Sequence, residues 1–174
     1  VDEDVLILGE NGTGKEVAAN YYYVNSQRFG MPFQTILCSS PNESLIEREL
    51  FGKERTAADP QDRGTIGLFE KCSEGILFLD EVTNLSTQSQ SKILRAVENK
   101  EIQVVGGTVK QVNTRLIYTS NADLNTLADS TRIRRDFYSR IEGNVIHIPP
   151  LRERDDDILL LMSYFITSYA NSYH

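Results

Sequence analysis

Apolar and polar positions alternate in blocks along this chain. Val5–Leu8 is an unbroken apolar run that reads as a short strand and leads straight into a glycine-rich segment; Lys15 to about Arg28 is then expected to be a helix. Phe33–Cys38 reads as a second strand. Ser40-Pro41-Asn42-Glu43 predicts a helix start, with Ser40 as N-cap, Pro41 at the first helical position and Glu43 completing a capping box; that helix should run to about Phe51. Gly75–Glu81 is a buried strand ending in two carboxylates, and Thr87–Asn99 a helix capped by Ser86. Residues 102–112 predict a hairpin turning near Gly106-Gly107. Arg115–Asn121 is another strand, and Asn144–Ile148 the last, closed by Pro149-Pro150. Strands and helices in alternation imply an α/β fold, a mostly parallel sheet covered by helices on both faces.

Composition narrows this picture. A chain of 174 residues is long enough for one α/β domain with a substantial core. A net charge of −7 and a pI near 4.9 argue against a large nucleic-acid-binding face in this segment. Nothing resembles a signal peptide and no apolar run is long enough to span a bilayer, so a cytoplasmic protein with no membrane partner is expected. Cys38 and Cys72 lack metal or redox spacing and read as buried free thiols. The chain opens four residues before a strand and stops inside a helical pattern, which suggests a piece of something longer.

The chemistry gathers at Gly9–Lys15, which reads G-E-N-G-T-G-K. A strand before it and a helix after it are the context a phosphate-binding loop requires. Gly9, Asn11, Gly12, Thr13, Gly14 and Lys15 are therefore candidates to hold the phosphates of ATP. The backbone N–H groups of Asn11 to Lys15 would ring them, and the helix N-terminus and Lys15 would add positive charge. A glycine-rich turn with no ligand is the weaker reading. Glu16 stands where a magnesium-binding hydroxyl is usual; a first-turn carboxylate suits the helix dipole and can point away from the ligand. Asp80 and Glu81 end a buried strand where α/β sheets bind ligands. Asp80 can hold magnesium through water, and Glu81 can orient and deprotonate an attacking water.

With these residues in place, the segments GENGTGKE, ERELFG, GLFEKCSEGILFLDEV, ILRAVENKEIQVVGG, IRRDFYSRI and IPPLRERDDDI resemble the AAA+ central domain of bacterial enhancer-binding proteins, the NtrC-type activators of sigma-54 RNA polymerase. The likeness runs in order over nearly the whole chain. It implies a P-loop AAA+ core over residues 1–154, truncated at its N-terminus, and the start of a helical lid subdomain over residues 155–174. In that family Glu16 is a usual residue. The resemblance also implies a ring of copies with ATP at the interfaces, RNA polymerase holoenzyme as partner, and DNA bound through a separate domain. Arg134 and Arg140 fall on the family's trans-acting arginine fingers, although local sequence alone fits arginines on a solvated helix face. Asn121 falls on its sensor asparagine, with Ser120 in place of the usual threonine.

Three positions depart from the family. Its sigma-contacting loop, G-A-F-T-G-A, aligns with Thr56-Ala57-Ala58-Asp59-Pro60-Gln61, which lacks the aromatic, the hydroxyl and both glycines. An asparagine that holds the catalytic glutamate aligns with Leu37, and an interface arginine with Val104. The expectation is a nucleotide-binding, self-assembling regulatory domain, as a ring or dimer, that does not remodel sigma-54 polymerase. The alternative is an active ATPase motor of a sigma-54-dependent activator. Cyclic di-GMP enters as a possible effector by analogy with other members.

Overall fold

The structure, a computed structural model, describes residues 3–55 and 63–172. Strands β1 (Val5–Leu8), β2 (Phe33–Leu37), β3 (Ile76–Asp80), β6 (Arg115–Ser120) and β7 (Val145–His147) form one wholly parallel sheet in the order β2-β3-β6-β1-β7. Between β3 and β6 lie β4 (Glu101–Gln103) and β5 (Val109–Gln111), paired as a separate antiparallel hairpin with Gln103 opposite Val109. Parallel register sets the carboxyl ends of β1, β3 and β6 side by side, Leu8 beside Ser120 and Leu79 beside Tyr118. Every functional loop inherits its place from that alignment.

The unbroken apolar runs follow from burial on both faces. Leu6, Leu8, Leu77, Leu79, Leu116 and Tyr118 point into one core. Helices α2 (Glu43–Phe51), α3 (Leu68–Lys71), α4 (Thr87–Glu98), α5 (Leu124–Asp129) and α6 (Arg135–Ile141) pack there. Alternate residues Val5, Ile7, Ile76, Phe78 and Ile117 point the other way, onto Ala19 of α1 (Lys15–Val24). Helices thus cover both faces, as the pattern requires. Helix α7 (Asp155–Ser172) follows a 3-10 turn at Leu151–Glu153, and its Leu159, Leu160, Phe165 and Tyr169 stand exposed. None of the described helices is long and apolar enough to cross a membrane.

Several boundaries differ from the sequence expectation, each for a local reason. Helix α2 starts at Glu43, not at Pro41: Asn42 is the N-cap, its Oδ1 accepting the Leu45 N–H at 3.2 Å, while Ser40 only accepts the Asn42 N–H. Helix α1 stops at Val24 rather than near Arg28, because Asn25 and Ser26 turn their side chains back onto the carbonyls of Tyr21 and Tyr23. Arg28 then leaves the helix direction and donates to the carbonyl of Gly75 at 3.0 Å. Ser86 caps α4 as expected.

Gln90 on α4 is fully buried and serves three backbone groups. Its Nε2 donates to the carbonyls of Leu85 (2.9 Å) and Arg132 (2.8 Å), and its Oε1 accepts the Arg134 N–H at 2.9 Å. This one side chain ties α4 to the segment entering α6. Gln90→Leu keeps the bulk but orphans all three groups, and is expected to lower stability by about 2–4 kcal/mol, read from the midpoint of urea unfolding.

Candidate nucleotide site

The loop between β1 and α1 is shaped by backbone conformations only glycine adopts cheaply: Gly12 and Gly14 have φ of +82° and +98°. At Gly9 a Cβ would stand 2.7 Å from the Ile148 carbonyl oxygen and 2.7 Å from Thr13 Oγ1, so the loop closes over this position only because it has no side chain. Thr13 is buried and donates to the Glu10 carbonyl at 2.8 Å, bracing the loop from within. Asn11 and Glu16 are exposed. Glu16 sits in the first turn of α1, where a carboxylate suits the positive end of the helix dipole.

Lys15 is buried and its ammonium turns back under the loop. It donates to the Gly9 carbonyl at 2.9 Å and the Glu10 carbonyl at 3.5 Å, and pairs with Glu81 Oε1 at 3.2 Å. Glu81 can reach it because the chain turns sharply past β3: its φ and ψ are both 59°, a left-handed conformation rare for a residue with a side chain. Thr119 on β6 holds that turn, its Oγ1 accepting the Glu81 N–H at 2.9 Å and donating to Asp80 Oδ1 at 2.5 Å. The other Glu81 oxygen accepts the Asn121 N–H at 3.3 Å. Ser120 is fully buried and its Oγ accepts the Ala122 N–H at 3.0 Å, fixing the bend that carries Asn121. A cavity of about 240 Å³ opens beside the loop, lined by Gly9, Glu10, Asn121, Asp123, His147 and Pro150.

Gly9–Lys15, Asp80, Glu81 and Asn121 therefore converge on one crevice at the strands' carboxyl ends. Among the described residues no three His, Cys, Asp or Glu side chains gather as a metal site. Asp80, with its Oδ1 oriented by Thr119, suits a magnesium ion that arrives with a phosphate chain and keeps most of its water.

Arg134 and Arg140 lie elsewhere. Arg134 precedes α6 and makes a two-pronged surface pair with Asp136, Nε to Oδ1 at 3.0 Å and Nη2 to Oδ2 at 2.6 Å, which holds the Asp136 carboxyl below its usual range. Arg140, in the last turn of α6, reaches Asp4 at 3.2 Å, just before β1. Neither touches the crevice. Of the three departures, Leu37 ends β2 opposite Asp80 and is 55% exposed; Val104 is buried, with its N–H on the Thr108 carbonyl. Thr56–Gln61 lies outside the described residues.

Two further arginines join the site. Arg152 grips Glu10 with both nitrogens, at 2.9 and 2.6 Å, and this hydrogen bonding holds the Glu10 carboxyl below its usual range. Arg154 donates to the Thr13 carbonyl at 3.1 Å. In the sequence the signal was only their nearness to Pro149-Pro150; nothing there pairs them with a loop some 140 positions earlier.

Comparison with known proteins agrees with this geometry. The sigma-54 interaction domain family matches residues 1–148. The Psp operon transcriptional activator of Escherichia coli K12 is 41% identical over 166 residues, 95% of this chain and 51% of that protein. The crystal structure of NtrX from Brucella abortus superposes with a TM-score of 0.88 at 30% identity, over 98% of this chain and 38% of that one. NtrX in complex with ATP gives 0.87 at 29% identity, over 98% and 37%. The chain thus spans about half, or less, of each of these proteins.

Cys38 abuts the crevice from β2's end, its N–H on the Asp80 carbonyl at 2.9 Å. Burial first, then the charges of Asp80 and Glu81, push its thiol up to about 12. Cys72 is raised to about 11, mainly by burial. At pH 8 about one Cys38 in ten thousand is then a thiolate. Both cysteines are expected to resist a thiol reagent such as Ellman's at pH 8 and to react together on unfolding; a fast-reacting thiol in the folded protein contradicts this.

Proposed function

The chain belongs to the sigma-54 interaction domain family, and we propose that it is a nucleotide-binding, self-assembling module of a bacterial transcription regulator that does not remodel sigma-54 polymerase. One observation carries the nucleotide reading: a buried lysine, two carboxylates and an asparagine meet at a single glycine loop. ATP in complex with the related NtrX supports it.

In this reading the phosphates lie on the loop N–H groups of Gly12 to Lys15. Lys15 exchanges the carbonyls of Gly9 and Glu10 for phosphate oxygens. Glu81, released from Lys15, would take the proton of a water that attacks the terminal phosphorus in line as its bond to the bridging oxygen breaks and ADP leaves, and Asn121 would help place that water. Asp80 would hold a magnesium ion through water, and that ion would supply positive charge opposite the outer phosphates. Arg134 and Arg140 serve a neighbouring copy, since neither reaches its own crevice. DNA contact belongs to another part of the protein, because a net charge of −7 gives this segment no broad basic surface.

The lack of remodelling rests on Thr56–Gln61, where alanine, aspartate and proline replace the family's aromatic tip. An interface aromatic commonly carries about 2 kcal/mol or more, and a segment with alanine, aspartate and proline at those positions has no aromatic to supply it. Leu37 adds to the argument. It offers no hydrogen bond to Glu81, so the only side chain pairing with that carboxylate among the described contacts is the phosphate-binding lysine itself. A second reading, an ATP-hydrolysing sigma-54 motor, is favoured by the complete set of Lys15, Asp80, Glu81 and Asn121.

Two measurements test the proposal. Lys15→Ala should weaken ATP and ADP binding by about 2–4 kcal/mol, tens- to several-hundred-fold by calorimetry; equal affinities end the nucleotide reading. In a purified transcription system, the full-length protein at its own binding site should yield no ATP-dependent open complexes with sigma-54 polymerase. Such complexes, abolished by Glu81→Gln, would establish the motor reading instead.

A further inference from the structure

Asp4, just before β1, holds a partly buried carboxylate that nothing in the nucleotide crevice uses. Its side chain is 11% exposed and committed on both oxygens. Oδ1 accepts the Leu116 N–H at 3.0 Å and lies 3.8 Å from Arg115 Nε; Oδ2 accepts Arg140 Nη2 at 3.2 Å. Asp4, Arg115 and Arg140 line a cavity of about 330 Å³ with Glu3, Lys100 and Asn144. Asn144 fastens the segment from the other side, donating to Glu3 Oε2 at 2.9 Å and to the Asp4 carbonyl at 3.2 Å.

This cluster lies at the sheet's amino edge and the glycine loop at its carboxyl edge. Four residues of β1 separate them, about 13 Å at the rise of a strand. Arg140 can therefore serve a nucleotide only in another copy. Its side chain is 46% exposed, with one edge on Asp4. An untethered arginine spreads over many rotamers; a carboxylate fixed by a backbone N–H narrows them and presents the remaining donors in one orientation.

We infer that Asp4 is a positioning residue for Arg140, setting the arginine that one copy offers to its neighbour's phosphates. The inference rests on the trans-acting reading above and adds to it a residue that never meets the nucleotide. Asp4→Asn keeps an oxygen for the Leu116 N–H and removes the charge that holds Arg140; Asp4→Ser is a second variant with an uncharged oxygen at the same place.

The test is steady-state ATP turnover by the full-length protein. Either variant should lower kcat about tenfold or more while KM and the ADP affinity of single subunits stay within about twofold. Arg140→Ala should fall further, and Asp4→Asn combined with it should cost nothing more. Mixing Asp4→Asn with Lys15→Ala subunits should restore turnover, because the Lys15 variant brings a well-placed Arg140 to an intact crevice. Full activity of both Asp4 variants beside a crippled Arg140→Ala overturns the role of Asp4 alone. Failure of Arg140→Ala mixed with Lys15→Ala to recover overturns the trans-acting reading, as does an undiminished Arg140→Ala. A wild-type protein that never turns over ATP overturns both. Turnover lost together with ADP affinity marks Asp4 as a folding residue and also overturns its positioning role.

Discussion

An ammonium group withdrawn from water governs this site. Taking a lysine charge out of solvent costs several kcal/mol unless it is paired and hydrogen-bonded. Lys15 meets that demand with the carbonyls of Gly9 and Glu10 and with the carboxylate of Glu81. The rest of the crevice can be read from this need. The loop must fold over its own lysine, so position 9 can carry no side chain. Glu81 must come to the ammonium, which takes a left-handed backbone that costs on the order of 1–3 kcal/mol and that Thr119 and the Asn121 N–H hold in place. None of these partners of Lys15 is better suited to it than a phosphate oxygen, so the resting contacts are ones an anion can replace.

Much of this was legible in the sequence because it is local. A glycine loop with a strand before it and a helix after it carries its own geometry, and so does a pair of carboxylates ending an apolar run. Strands β1 and β3 were legible for the same reason: a strand buried on both faces must be apolar without interruption, whereas the β4–β5 hairpin was legible from the Gly106-Gly107 turn between two short runs. What escaped depends on contacts between distant segments. Gln90 looks like one more polar residue on a helix until its amide is seen to hold the backbone of 132 and 134. Arg152 and Arg154 gain meaning only when β7 lies beside β1. The short helices α3, α5 and α6 have too few turns to show a period. The start of α2 was misplaced because Ser40 and Asn42 both suit a cap, and the choice falls to whichever side chain reaches the Leu45 N–H.

Leu37, where the family resemblance implies an asparagine, has a physical consequence here. At the end of β2, level with Asp80, a side chain able to hydrogen-bond could draw Glu81 away from the phosphates and hold it there. A leucine cannot. Glu81 is left to Lys15 and the Asn121 N–H, so the position of the carboxylate depends in part on where the ammonium sits. In the proposed reading, a nucleotide that draws Lys15 onto its phosphates would release Glu81 from the ammonium as well. In the proposed function, a carboxylate with no side-chain partner at the end of β2 suits an assembly module more than a motor that must pass each turnover to a partner.

Strand β1 carries this division to the scale of the assembly. Its four residues are buried, and it is hydrogen-bonded to β6 on one side and β7 on the other, so it acts as a stiff spacer. At its carboxyl end lies a loop built to receive negative charge; at its amino end Asp4 gathers Arg140 and Arg115. A strand cannot fold back to bring its two ends together. In the proposed trans-acting role, Arg140 reaches the crevice of a second copy, placed so that its amino edge faces the first copy's carboxyl edge. That contact is heterologous: it pairs unlike surfaces, leaves one of each unused, and is satisfied throughout only when successive copies close a ring.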